Sequence, residues 1–270
     1  MSLTATYDAA LSRVRLSGTL LGATATYARF ERSADAGITW VTVRGGSTVT
    51  VASQNARVDD YEWTPGVLTT YRVTSYDVTD VQQAQFTTTI TQDLPGVWLK
   101  VPAAPYLNRA VTVSTRTEIG RRSRGGVFDV VGRTFPVLVG DVRSGREFGL
   151  RIRTESPSDE RDLDYLFASG EVLYLQAPAA MDQFPIGYYA AGDVKWTLPT
   201  ERERRTFPQR RYWDVPLTEV AAPGPAVVGS TYTCASVLAD YATVTALLAA
   251  NATIADLLER VASPSDVIVG

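Results

Sequence analysis

The residue types in this 270-residue sequence leave few routes to acid, base or nucleophilic catalysis, and their spacing narrows the chemistry further. Histidine is absent, which removes Ser-His-Asp and Cys-His catalysis, HExxH metal sites and every His-ligated zinc or iron centre. Cys234 is the one thiol; without a partner it forms neither an internal disulfide nor a cysteine zinc site, and it reads as a small buried apolar residue. Lys100 and Lys195 are the only lysines and no SxxK motif occurs, so Ser-Lys chemistry has no anchor. Carboxylates remain, as Asp59-Asp60-Glu62 and as the run Ser158-Asp159-Glu160-Arg161-Asp162-Leu163-Asp164. A carboxylate pair could hydrolyse a glycoside or hold a hard cation. The first group lacks the glycine-bracketed loop of an EF-hand, and the second falls in the first turn of a helix, where the dipole favours solvated carboxylates. GxGxxG, GxxxxGK[ST] and GxSxG are also missing. The reading is a protein without enzymatic activity, with no catalytic, cofactor-binding or metal-ligating residue assigned and no cofactor.

Arginine dominates the positive charge, at 24 of 26 basic residues against 29 acidic ones, for a net charge of −3. It gathers in two places. Gly120 to Gly126 is a basic loop carrying Arg121, Arg122 and Arg124, and five arginines, Arg202, Arg204, Arg205, Arg210 and Arg211, fall within ten residues. Residues 93–230 nevertheless hold 18 basic and 17 acidic residues, so these guanidinium groups have carboxylates to pair with. They are expected to make ion pairs within the chain or at a subunit interface, and nucleic acid is not the expected partner. The five tryptophans are expected in the core.

These residues need elements to position them. Residues 1–92 are rich in Thr, Val, Tyr and Ser with turns at short intervals. Strands are predicted over Arg13 to Leu16, Tyr27 to Arg32, Thr39 to Val43, Thr48 to Val51, Asp60 to Trp63 and Thr70 to Tyr76, which amounts to a small β-sandwich of about seven strands. Asp93-Leu94-Pro95-Gly96 is a turn and linker, and a domain boundary is placed there. From 93 to 226, apolar runs at Val127 to Val131 and Phe135 to Val139 have strand composition. Glu147 to Arg153 alternates, with Phe148, Leu150 and Ile152 on one face and Arg151 and Arg153 on the other. A helix is predicted over about 157–169, with Ser156 as N-cap, Pro157 at the first helical position, an apolar stripe of Leu163, Leu166 and Phe167, and Gly170 as the stop. Strands resume at Glu171 to Leu175, Gly187 to Ala191, Asp193 to Leu198 and Arg211 to Leu217, giving a β domain with one helix.

Residues 227–270 repeat every ten positions: TYTCASVLAD, YATVTALLAA, NATIADLLER, VASPSDVIVG from Thr231. Thr233, Thr243, Thr253 and Ser263 recur as hydroxyl N-caps, each followed by an apolar pair: Val237-Leu238, Leu247-Leu248, Leu257-Leu258 and Val267-Ile268. Ten-residue helices are too short to stand alone in water, so these leucines join the arginines as candidate subunit-interface residues; one continuous amphipathic helix is the alternative. No run approaches the roughly 20 apolar residues of a membrane span, and MSLTATYDAALSRVRLSG lacks signal-peptide order. A soluble protein made without an export signal is expected.

The early Arg13 to Leu16 strand, the Ser33-to-Trp40 turn and the late Tyr71 to Asp77 resemble fibronectin type III and immunoglobulin-like modules. Further on come Gly132-Arg133-Thr134-Phe135-Pro136-Val137-Leu138-Val139, then Arg146 to Thr154, the Asp159 to Gly170 helix, Glu171 to Pro178 and Trp213 to Val220. This stretch resembles minor tail proteins of siphophages infecting actinobacteria, in particular the tail-tube-like fold of distal tail proteins. Thr253 to Leu258 is similar to their repeated C-terminal tails. That family usually places its tube-like domain first, whereas here a fibronectin-like domain precedes it. The resemblance implies a mainly β chain with three parts: a fibronectin III/Ig-like sandwich (1–92), a tail-tube-like β domain with one helix (93–226) and a C-terminal arm of short-helix repeats (227–270). It implies a structural virion protein of the phage tail, forming a ring or collar between tube and tip. Its partners would be copies of itself and the tube and tip or hub proteins, and not a membrane. The alternative is a carbohydrate-binding module for host cell-wall glycan, with sandwich Trp and Tyr residues as stacking platforms. A wall-degrading carboxylate glycosidase using Asp60 or Asp159 is a third.

Overall fold

The computed structural model describes residues 2–224 and 243–250. Strand makes up 44% of it and helix 11%, so the chain is mainly β, with several antiparallel sheets that include a six-stranded barrel. By packing it falls into two compact units. The first takes in residues up to Ala110, then Tyr174–Ile186, then the described residues from Pro223 on; the second comprises Val111–Leu173 and Gly187–Ala222.

In the first unit, β1 (Ser2–Asp8), β2 (Arg13–Thr19) and a later strand, β6 (Ala56–Asp60), form one sheet in the order β1-β2-β6. The other sheet is made by β3 (Tyr27–Ser33), β4 (Val41–Thr42), β7 (Leu68–Tyr76) and β8 (Gln82–Thr91) in the order β4-β3-β7-β8, and the short β5 (Val49–Thr50) also pairs with β3. Period-two alternation assigns the faces. Val14 and Leu16 of β2, Ala28 and Phe30 of β3, and Tyr71 and Val73 of β7 turn inward and are buried in one core with Leu3, Leu21 and Trp63. Trp63 meets Tyr7 edge-on, with ring centroids 5.5 Å apart. Each buried Val, Leu and Phe among them contributes about 1.5–3 kcal/mol. Also in this unit, β9 (Val97–Lys100) pairs with β15 (Leu173–Gln176), with Leu99 opposite Leu175. The turn before β7 approaches Ala179 so closely that a Cβ on Gly66, whose φ is +71°, would lie 2.5 Å from the alanine methyl. Only glycine fits there.

The second unit is organised on β14 (Arg146–Thr154) and β18 (Arg211–Glu219), antiparallel partners from Glu147↔Thr218 to Thr154↔Arg211. Phe148, Leu150 and Ile152 of β14 and Trp213, Val215 and Leu217 of β18 are buried, and Arg151 lies outward. β10 (Arg109–Arg116) and β11 (Gly120–Arg121) pair with β14, and β16 (Gly187–Ala191) and β17 (Lys195–Thr197) pair with β18. Helix α1 (Pro157–Ala168) follows β14. Its N-cap Ser156 accepts from the Asp159 N–H at 3.2 Å, Pro157 opens it, and Gly170 beyond its end has φ +66°. Leu163 and Leu166 are buried, and the Phe167 ring lies 6.0 Å from that of Trp213.

The alternation in β14, the α1 cap and stripe, and the strand at 187–191 match the expectations, whereas the predicted strand at Asp60 to Trp63 lies earlier, as Ala56–Asp60. β1, β8, β10 and the helix α2 (Glu201–Thr206) are additions. The expectation that every tryptophan is core is corrected. Trp63, Trp98 and Trp213 are buried, but Trp40 is half-buried and Trp196, on the short β17, is 50% exposed. Residues 93–110 and 174–186 belong with the N-terminal strands in the first unit. Among the described residues no helix is long and apolar enough to cross a membrane. Ser156→Ala removes the α1 cap and should lower stability by about 1 kcal/mol, read as a lower urea midpoint with an unchanged m-value.

Candidate functional site

The second unit carries an apolar hairpin that its own packing leaves in water. Gly120 and Arg121 of β11 pair with Glu147 and Arg146. The Arg122 N–H donates to Ser144 Oγ at 2.8 Å, and the Ser144 N–H to the Arg122 carbonyl at 3.0 Å. Beyond this stem, β12 (Gly126–Phe128) and β13 (Val137–Val139) pair with each other alone among the described strands, Val127 opposite Leu138. The sequence predicts these apolar runs as ordinary strands, but they are exposed: Val127 is 64%, Phe128 56%, Leu138 68% and Phe135 in the connecting loop 81% accessible. A turn closes at Val130, whose carbonyl accepts from the Arg133 N–H at 3.0 Å, and Gly132 supplies the φ of +85° such a turn needs. Alternation puts Val127 and Leu138 on one face and Phe128 and Val137 on the other, so both faces are apolar.

Arginines surround the stem. Arg146 holds Glu219 through Nε at 3.0 Å and Nη2 at 2.6 Å, and its N–H donates to the same carboxylate at 2.8 Å. Arg146 keeps Glu219 well below the usual carboxylate range, at about 2. Of the predicted interface residues, Arg121 donates to the Ser144 carbonyl at 3.1 Å and lies 3.6 Å from Glu219, Arg122 pairs with Glu147 at 2.9 Å, and Arg124 is exposed. The second group sits around α2. Thr200 and Glu203 form a reciprocal capping box at its start. Arg202 and Arg204 are exposed, and Arg205 reaches Glu201 one turn back at 3.4 Å. Arg210 forks onto Glu155 at 3.0 and 3.2 Å and stacks 3.8 Å from the Phe207 centroid. Arg211 lies 3.7 Å from Glu160 and donates to the Pro208 and Arg210 carbonyls. Intrachain pairing thus engages Arg121, Arg122, Arg205, Arg210 and Arg211. On α3 (Val244–Ala250), Thr243 caps the helix by accepting from the Ala246 N–H at 3.1 Å, as the repeat predicts, and Leu248 is exposed. Leu238, Leu258 and Cys234 lie outside the described residues.

The carboxylates Asp59, Asp60 and Glu62 of the first unit are ion-paired. Asp60 is buried; its carboxylate accepts from Arg32, from the Tyr71 hydroxyl at 2.9 Å and from the Glu62 N–H at 2.9 Å. Glu62 pairs with Arg44 at 2.5 Å, and Asp59 with Arg13 at 2.6 Å. Lys100 is also buried, its ammonium nitrogen donating to the Ser12 and Tyr61 carbonyls at 2.5 and 2.8 Å. Burial lowers Lys100 to about 7, against the opposing pull of Asp60 and Glu62. Tyr71 is pushed up by burial and by Asp60. Asp159, the other acid considered, is exposed in the first turn of α1. Sequence reasoning missed α2, whose T-x-x-E signal at Thr200 to Glu203 was legible, and the burial of Lys100, for which one lysine in a short apolar strand was the only hint.

Both charges make stability rise with pH, each in its own window. Lys100 binds its proton more weakly folded than unfolded, so through this group stability rises as pH climbs from about 7 towards 10.5. Lys100→Met should flatten that rise in melting temperature. Glu219 binds its proton more weakly when folded, so its contribution is present above pH 4.5 and fades as pH falls towards 2. Arg146→Gln should remove that acid-side loss.

The chain matches no protein-family model and no curated protein, so its function has to be argued from its own residues.

Proposed function

We propose that this chain is a structural protein of a bacteriophage tail tip, associating with copies of itself into a ring or collar between tube and tip and contacting neighbouring tail proteins there. The observation that carries this reading is the hairpin 126–139. A lone two-stranded hairpin is marginal in water at best, and one with Val127, Phe128, Phe135 and Leu138 exposed needs a protein surface to cover it. A second copy supplies such a surface at every subunit, and copies related by rotation close into a ring. Exposed Arg124, Arg202 and Arg204 are left to contribute rim contacts, worth little individually and sensitive to salt.

The finer architecture belongs to the same proposal. The order β1-β2-β6 in one sheet and β4-β3-β7-β8 in the other supports a fibronectin III-like sandwich at 1–92. The β14–α1 succession supports a tail-tube-like β domain at 93–226, and the Thr243 cap supports a short-helix arm from 227. Localisation in the virion follows from the assignment.

Light scattering over a concentration series, with negative-stain imaging, tests the reading. The expected outcome is a closed oligomer that Val127→Ser with Leu138→Ser converts to monomer without lowering the melting temperature. An unmodified protein that stays monomeric alone and on purified tail tubes overturns it. Deleting 231–270 should leave a folded protein that assembles poorly; normal assembly overturns the role given to the arm.

A further inference from the structure

The outward face of β3, β7 and β8 in the first unit differs in chemistry from the hairpin. With Tyr71 and Val73 turned into the core, the alternate positions of β7 are Thr70, Arg72, Thr74 and Tyr76, of which Thr74 is itself buried and the other three are half-buried. Their cross-strand partners on β8 are Thr89, Thr87, Gln85 and Gln82; on β3 Arg72 faces Glu31, Thr74 faces the exposed Arg29, whose guanidinium lies 5.9 Å from the Tyr76 centroid, and Tyr76 faces Tyr27. Two aromatic platforms stand at the ends of this strip. At one, Trp40 lies over the Arg72 guanidinium, 4.0 Å from Cζ to ring centroid, and Arg72 is held by Glu31 at 2.6 and 2.9 Å. The loop before Trp40 is fixed as well: Asp35 accepts from the Thr39 N–H at 2.9 Å and from its hydroxyl at 2.5 Å. At the other end Tyr27 and Tyr76 stack at 5.1 Å and 18°. Arg72 and Tyr76 are four positions apart along the strand, roughly 13 Å.

We infer that this strip is a binding face for a neutral polysaccharide laid along β7, with sugar rings on Trp40 and on the Tyr27–Tyr76 pair and their hydroxyls bonded by the groups between. The groups between the platforms are suited to that ligand. Gln85 and Thr87 are exposed neutral donors and acceptors, the Arg72–Glu31 pair is neutral in sum while offering both polarities, and Arg29 adds one exposed guanidinium donor. A nucleic acid would call for a basic track, and a stable protein interface for an apolar centre; the strip has neither. The rings are set before any ligand arrives, Trp40 by Arg72 and Tyr27 through its hydroxyl to Asp80 at 2.8 Å, so little ordering cost falls on binding.

Calorimetry and tryptophan fluorescence on the full chain test this with chitohexaose, maltohexaose and a soluble muramidase digest of peptidoglycan as probes. At least one should bind saturably. Trp40→Ala and Tyr76→Ala should each raise Kd about tenfold or more, and Trp196→Ala, on the second unit, should not change it. Gln85→Glu with Thr87→Glu, which leaves the core untouched, should weaken binding to the same degree and controls for misfolding. Absence of binding to all three probes at millimolar concentration overturns the inference, as does binding that survives either aromatic substitution. The oligomer mass should be the same in every one of these variants, which separates failure here from failure of the assembly reading.

Discussion

The first unit depends on one buried carboxylate. Asp60 ends β6 in the three-stranded sheet, while its partners Arg32 and Tyr71 belong to β3 and β7 of the other sheet. Hydrophobic burial brings the two sheets together without fixing their register. A charge in that interior tolerates only one arrangement, because losing a partner leaves an uncompensated ion. Asp60 thereby joins β6 of one sheet to β3 and β7 of the other. The same cluster places Lys100 over two backbone carbonyls, so a strand that follows the sandwich in sequence is tied into its core.

The second unit is organised differently. β14 and β18 pair along their whole length and bury apolar side chains from alternate positions, and their charged ends are closed by Arg146 and Glu219. Beyond that closure the chain continues into a hairpin that buries almost nothing of itself. Sequence composition alone does not distinguish the two situations. Val127 and Leu138 resemble Leu150 and Ile152 as residue types, and the difference lies in whether another strand of the chain comes to cover them.

That distinction explains what was legible beforehand. The alternation in β14, the Ser156 cap with Pro157, and the Thr243 cap are local, and each could be read from a few neighbouring residues. β8 was missed because its inward positions are only partly buried and its outward ones are Thr and Gln, leaving weak apolar contrast. Burial of Lys100 and exposure of Trp196 were missed because both depend on residues distant in sequence. The arginine groups are plain in the sequence, but their partners Glu155, Glu160 and Glu219 are set by the pairing of β14 with β18 and the placement of α1. The outward strip on β7 needed strand register, which brings Trp40, Arg72 and Glu31 together from three separate segments.

The buried amine of Lys100 has a practical consequence. Only two lysines exist, and Lys195 lies exposed on β17, so mild acylation of side-chain amines marks a single strand of the second unit. Lys100 reacts only when the first unit opens around Ser12 and Tyr61, and its much slower modification becomes a clock for that opening. Two lysines on separate units thus give the protein a built-in reference and reporter, with no residue added.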